Sequence, residues 1–384
     1  MKKSKIKIIS ICPTYFEATS PNLKKRFEMM SQQTEGHVFA TTTEENLPET
    51  VRFGSFRFHP LKFYRNKLIR NSNYYLQTMI KVMRLKKAED FDIIAAYDPL
   101  MYGILAVFLK SMTGKPVVLE INGHLKKDAF LENETFPLKL KRRAFEYIVK
   151  RTIKAADHLK MLNPEQKEEW EEAIGEKNVS IFHNFVPTDN FEKRDSCMSN
   201  YILFVGYPYY RKGVDILIEA FKRIAHDYPD TKLRIIGHCP GGDAEQKKYL
   251  DMVAGIDNVE ICRPVPYDEV MKQIENCRFF VLPSRSEAMG RVLLEAMAAG
   301  KAVVGSRVGG IQYIVEDGVN GYLFENENKE QLSLCMKKLL DDDELCKKMG
   351  NESVHLIEKR YSAQIYIDKY VDMLEKVVAL NSDQ

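Results

Sequence analysis

Short apolar runs alternate along this chain with longer segments whose apolar residues recur at helical spacing. Residues 6–11, 91–98, 117–121, 201–205, 232–236 and 302–306 are too short for buried helices and rich in Ile, Val and Phe, so each reads as a strand buried on both faces. Between them lie segments predicting helices over 22–33, 61–87, 101–112, 164–176, 214–228 and 329–348. Strand and helix in strict alternation predict a parallel, doubly wound α/β sheet, whose ligands bind beyond the carboxyl ends of the strands. A chain of 384 residues exceeds one comfortable core, so two such domains are expected. The polar run 189–200 reads as the linker. The predicted domains are 1–195 and 196–360, followed by a helix over 361–384.

The stretch 281–300, VLPSRSEAMGRVLLEAMAAG, concentrates the chemistry. An apolar run ends at Pro283, and apolar residues return at helical spacing from Arg291, giving strand, turn and helix. Glu287 falls in the turn and Glu295 on the helix, eight residues on. A helix N-terminus carries unpaired N–H groups and about half a positive charge, which suits a phosphate at Met289, Gly290, Arg291 and Val292. Carboxylates beside it accept hydrogen bonds from sugar hydroxyls. The combination points to a phosphorylated, polyhydroxylated ligand.

Glu287 and Glu295, followed by AMAAGKAVVGSRVGG and IVEDGVNGYLF, resemble the signature of the retaining family-4 glycosyltransferases. The resemblance implies the GT-B architecture, two Rossmann-like domains facing a central cleft, with the final helix returning to the first domain. It implies a sugar moved from a UDP-, GDP- or ADP-sugar to a glycan or lipid-linked acceptor, with no separate cofactor and no metal. By the same resemblance Lys212 before Gly213 grips the donor diphosphate. The partner arginine expected after Gly206 is replaced by Tyr207, which shifts that role to Arg211. Two cations at a helix start oppose the helix dipole, and an anionic partner relieves that conflict. Glu287 would orient the sugar hydroxyls, Glu295 the ribose, and Arg263 and Val265 would lie beside the base. Asn122 matches the strand-end position that presents a histidine to the sugar, with His124 two residues later, and either fits the role. The first loop, 14–21, holds no glycine, unlike the family pattern, and is open to an acceptor-side role. The same scaffold serves nucleotide-sugar 2-epimerases and non-catalytic nucleotide-sugar binders, and both remain alternatives at this stage.

Other features bound the function. Asp90-Phe91-Asp92 reads as a polar turn entering a strand, and 341–344 as a break between two helices; neither reads as a metal site. The seven cysteines are scattered without a C-x-x-C pair, which predicts neither disulfides nor zinc and suggests a reducing, cytoplasmic setting. The basic start, 1–13, is interrupted by Lys5 and Lys7 and reads as a first strand rather than a leader. Residues 1–195 hold 33 basic and 25 acidic residues, a net of +8, which leaves 24 and 29, a net of −5, for the rest. Within the basic half, 138–154 carries Lys139, Lys141, Arg142, Arg143, Lys150, Arg151 and Lys154 against Glu146 alone, with aromatic and aliphatic residues between. That pattern predicts a peripheral contact with an anionic membrane surface, not a nucleic-acid site.

Overall fold

A computed structural model describes residues 4–12, 21–43, 48–128, 136–187, 199–237 and 242–382. The glycine-free loop 14–20, most of the linker and the segment 238–241 lie outside the described residues, as do the side chains of 127–140, Lys139 among them. The chain divides into two compact units, Met1–Asn122, Glu132–Phe185 and Ala363–Gln384 in the first, and Gly123–Leu131 and Val186–Ser362 in the second. The break after Phe185 falls ten residues before the end of the first domain read from the sequence.

In the first unit the order is β1 Ile6–Ile11, α1 Pro21–Met30, β2 Thr34–Thr42, β3 Val51–Phe53, β4 Phe56–Lys62, α2 Lys67–Ala88, β5 Ile93–Ala96, α3 Met101–Thr113 and β6 Val117–Glu120. After α4, Leu125–Asp128, come α5 Phe136–Ala155, β7 His158–Met161, α6 Pro164–Glu169, α7 Glu171–Ile174 and β8 Asn178–Ile181. The sheet order is β3-β4-β2-β1-β5-β6-β7-β8, parallel except where β3 turns back on β4. The apolar residues of 51–58 suit one strand, but Gly54, at φ +57°, turns the chain there into a hairpin. The strand then runs on to Lys62, so the following helix begins six residues later than its periodicity indicates. Residues 164–176 form two short helices meeting at Trp170.

The second unit follows as β9 Tyr201–Val205, α8 Val214–Lys222, β10 Lys232–Ile236, α9 Gly242–Val253, β11 Val259–Cys262, α10 Tyr267–Asn276 and β12 Phe279–Leu282. It continues with α11 Arg291–Ala298, β13 Ala302–Ser306, α12 Ile311–Ile314, β14 Gly321–Phe324, α13 Lys329–Asp341 and α14 Asp343–Leu356. Its sheet, β11-β10-β9-β12-β13-β14, is wholly parallel. Strand order reverses between β9 and β12, so the loops leaving these two strands are neighbours, the place where open α/β sheets bind ligands.

The last helix, α15 Ala363–Ser382, belongs to the first unit. Tyr366, Ile367, Tyr370, Leu374 and Val377, at helical spacing, are buried with Leu23, Phe27 and Met30 of α1 and with Phe182 and Phe185. Under this helix lies a polar cluster. The Tyr370 hydroxyl donates to Glu120 (2.8 Å), the Arg26 guanidinium sits 3.6 Å from the same carboxylate and stacks on both tyrosines, and Lys160 donates to Asn184. Burial pushes the Lys160 ammonium down to about 7, Arg26 adds to the fall, and Glu120 only partly offsets it.

Lys160 therefore makes stability depend on pH. An unfolded lysine holds its proton up to about 10.5, whereas the folded chain gives it up near 7. Between these values the unfolded state binds more protons, so stability rises with pH by up to about 1.4 kcal/mol per unit from this group. Chemical denaturation of wild type and Lys160→Met from pH 7.5 to 9 should show the difference in unfolding free energy growing in favour of wild type. A difference independent of pH would mean that Lys160 keeps an ordinary pKa.

Candidate active site

The β9–α8 loop carries Tyr207, Arg211 and Lys212, and the β12–α11 turn carries Arg285, Glu287 and Met289. Both leave the centre of the second sheet, where Phe279 and Phe280 of β12 pair with Ile202 and Leu203 of β9. The loops touch backbone to backbone. Gly213, left-handed at φ +70°, lies so close to Pro283 that a Cβ there would fall 1.9 Å from its carbonyl oxygen. Only glycine meets both conditions.

This approach brings Lys212 onto Glu287 as an ion pair, each side chain 12% exposed. Burial pushes the Glu287 carboxyl up, but Lys212, Arg211 and the Gly290 N–H together hold it below the ordinary carboxylate value. The turn is backed by Gly309-Gly310. The Gly310 N–H donates to the Glu287 carbonyl (2.8 Å), and a Cβ on Gly309 would meet that same carbonyl oxygen at 2.0 Å. It would also stand 2.8 Å from Nε2 of His124, so the imidazole lies against this turn and is 1% exposed.

Gly290, left-handed at φ +79°, caps α11. Its carbonyl accepts from the Leu293 N–H at 2.8 Å, and Arg291 and Val292 open the helix beside Glu287. Glu295 is buried one turn further on. Its Oε1 accepts from the Tyr267 hydroxyl (3.1 Å) and from Arg291 Nε (3.0 Å). Burial raises its pKa, and Arg291 and Tyr267 offset only part of the rise. Tyr267 opens α10, directly after the loop that carries exposed Arg263 and half-buried Val265. Tyr207 is 60% exposed.

Asn122 stands at the carboxyl end of β6 in the first unit. Its amide donates to the Tyr97 carbonyl (2.8 Å), and its Oδ1 accepts from Asn184 (2.9 Å), whose own oxygen faces Lys160. Thus the second unit gathers Lys212, Arg211, Glu287, His124, Met289 and Gly290, with Glu295 and Val265 further along α11 and α10. Asn122 is held by first-unit partners. Sequence reasoning missed Tyr267, Arg285 and Asp215. Arg285 was visible inside the motif, but its partner Asp215 is 70 residues away and no spacing links them.

The arrangement offers cations and helix amides to an anion, and carboxylates to hydroxyls. Among the described residues no group of three or more His, Cys, Asp or Glu is placed to hold a metal ion. Asp90 pairs with Lys115, and Asp92 caps the Lys7 N–H.

Comparison with known proteins bears on the family and the fold. Residues 187–355 match the model of glycosyl transferases group 1, and residues 28–190 that of glycosyltransferase family 4. The chain is 28% identical to an uncharacterized glycosyltransferase of Methanocaldococcus jannaschii, over 88% of this chain and 93% of the other. Among solved structures it resembles sucrose-phosphate synthase from Thermosynechococcus elongatus (TM-score 0.77, 15% identity, 98% and 100% of the two chains). HepE from Anabaena, solved with UDP-glucose, superposes at a TM-score of 0.73 with 15% identity over 97% and 100%. Two parallel α/β sheets, the GT-B likeness, and family models that together span residues 28–355 lead to one conclusion: the chain belongs to the family-4, group-1 glycosyltransferases.

Proposed function

We propose that this glycosyltransferase moves a hexose from a nucleoside-diphosphate sugar to a glycan or lipid-linked acceptor, with retention at the anomeric carbon. The Lys212–Glu287 pair beside the start of α11 carries the reading. In such a transfer the sugar gains oxocarbenium character while negative charge grows on the departing diphosphate. Lys212, Arg211 and the amides of Arg291 and Val292 stabilise that charge in place of a metal. Glu287, released from Lys212 as the phosphate takes the ammonium, turns its carboxylate to the sugar hydroxyls. Glu295, steadied by Tyr267 and Arg291 on one oxygen, offers the other to the ribose, with Val265 and Arg263 beside the base. Asn122 and His124 are the candidates for the sugar's remaining hydroxyls. HepE, with its UDP-glucose complex, makes UDP-glucose the first donor to try.

The acceptor side favours a bilayer. The helices α2, α3 and α5 hold six, one and seven basic residues against Glu146 alone. α3 packs between the other two, and Ile104, Phe108 and Met112 form an exposed stripe along it, with Ile80 of α2 and Tyr147 of α5 also exposed. No helix among the described residues is long and apolar enough to cross a membrane. An apolar stripe flanked by basic helices suits the boundary of an anionic leaflet, where each lysine or arginine near the surface contributes about 1 kcal/mol. The enzyme then works peripherally at the cytoplasmic face.

Lys212→Ala should lower turnover by about 100-fold or more, with wild-type activity insensitive to EDTA. Nucleoside diphosphate should appear only when acceptor is present; release without acceptor, or strict need for a divalent ion, contradicts the mechanism. Glu295→Ala should weaken nucleotide binding by about 1–3 kcal/mol in calorimetry, and unchanged affinity would remove the ribose role. The protein should co-sediment with anionic vesicles at low salt and release at high salt; failure to bind at low salt would leave a soluble acceptor as the alternative.

A further inference from the structure

One side chain in the site is turned almost entirely to protein partners. Arg285, 10% exposed, donates through Nη1 to the Tyr210 carbonyl (2.6 Å) and to Oδ1 of Asp215 (2.8 Å), and through Nη2 to Oδ2 of the same carboxylate (2.7 Å). Its Nε donates to Glu327 (2.7 Å), and its guanidinium lies 4.1 Å from the centroid of the Tyr210 ring. Four of the five donors an arginine possesses are thus engaged, and its flat face is covered. Its backbone N–H adds a bond to the Arg211 carbonyl (2.8 Å). Glu327 is one of two non-glycine residues with positive φ (+64°) among the described residues, a conformation that needs such outside support.

The partners bracket the cation loop. Tyr210 and Arg211 precede Lys212, Asp215 follows it in the first turn of α8, and Glu287 lies two residues after Arg285. One guanidinium therefore fixes both sides of Lys212 to the turn that holds Glu287. Gly213 against Pro283 sets how near the two loops come; Arg285 sets where they stand along each other. Further along α11, Glu295 accepts from Tyr267 and from Arg291.

We infer that Arg285 is a positioning residue for the diphosphate end of the donor, holding Lys212 and Arg211 in register with Glu287 without touching the ligand. This role rests on the nucleotide-sugar reading above. Losing the fork leaves Lys212 on a loop free to slide, so the diphosphate loses its aligned cations while the nucleoside end keeps its contacts. Lysine at this position reaches Asp215 but cannot also hold the Tyr210 carbonyl and Glu327.

Calorimetry with UDP against UMP, and with the GDP/GMP and ADP/AMP pairs, tests it on wild type, Arg285→Gln, Arg285→Lys and Asp215→Asn. In Arg285→Gln the diphosphate affinity should fall about 10-fold while the monophosphate affinity stays within about twofold. Arg285→Lys should fail to restore it, and Asp215→Asn, which keeps the shape of the site, should follow in the same direction. Should Arg285→Gln fail to fold, Asp215→Asn decides alone. Equal losses for both nucleotides, or no loss in a folded variant, would overturn the positioning role. A wild-type chain that binds none of the diphosphates would overturn the nucleotide-sugar reading instead.

Discussion

The pairing of β9 with β12 is the constraint on which the second unit's chemistry depends. The paired positions, Ile202 with Phe279 and Leu203 with Phe280, are 77 residues apart along the chain, and all four side chains are fully buried. Strands to one side of the pair continue outward through β10 and β11, and to the other through β13 and β14. Only between β9 and β12 do two strand-end loops face each other without a helix crossing over. Glycine at 213 lets the loops close to backbone contact, and Gly309-Gly310 backs the turn from the other side. A side chain at any of these three positions would collide with a carbonyl rather than with something that can move.

Closing the loops places opposite charges together in a poorly hydrated spot. A buried ion pair is a weak source of stability, because desolvating both ions cancels much of their attraction, yet removing one partner leaves the other stranded at a cost of about 3–5 kcal/mol. Lys212 and Glu287 therefore satisfy each other in the absence of ligand. In the proposed donor complex a phosphate would replace Glu287 beside Lys212 and a hydroxyl would replace Lys212 beside Glu287, an exchange that costs less than filling an empty charged site. Arg285 with Asp215 is a different pair. Its geometry is a bidentate fork, its charges stay matched throughout, and it acts on backbone position.

Much of this was legible from residue order because it is local. Strands β9 and β13 begin and end where their apolar runs do, since a strand buried on both faces tolerates no polar interruption. Glu287 and Glu295 sit on the turn and helix that their spacing indicates, and the break at 341–344 separates α13 from α14. What escaped reading is tertiary. The hairpin at Gly54 is a left-handed residue inside an apolar run, and nothing in the run distinguishes it from a weak spot in a strand. His124, in the loop after β6, is buried because Gly309, nearly two hundred positions on by residue number, leaves room for its ring. The Tyr267 hydroxyl reaches Glu295 only because α10 and α11 pack side by side.

The placement of α15 has a consequence for how the chain is made. The first unit contains the N-terminal strands, yet its core includes Tyr366, Tyr370, Leu374 and Val377. While a ribosome is still extending the chain, Phe27, Phe182 and Phe185 lack the cover that α15 supplies, and the Glu120 carboxylate lacks the Tyr370 hydroxyl. The second unit needs nothing beyond Ser362 and has all of its strands earlier. Domains usually complete themselves in the order in which they emerge. Here the half synthesised first is completed only after the second unit has emerged, by the helix α15 that follows it.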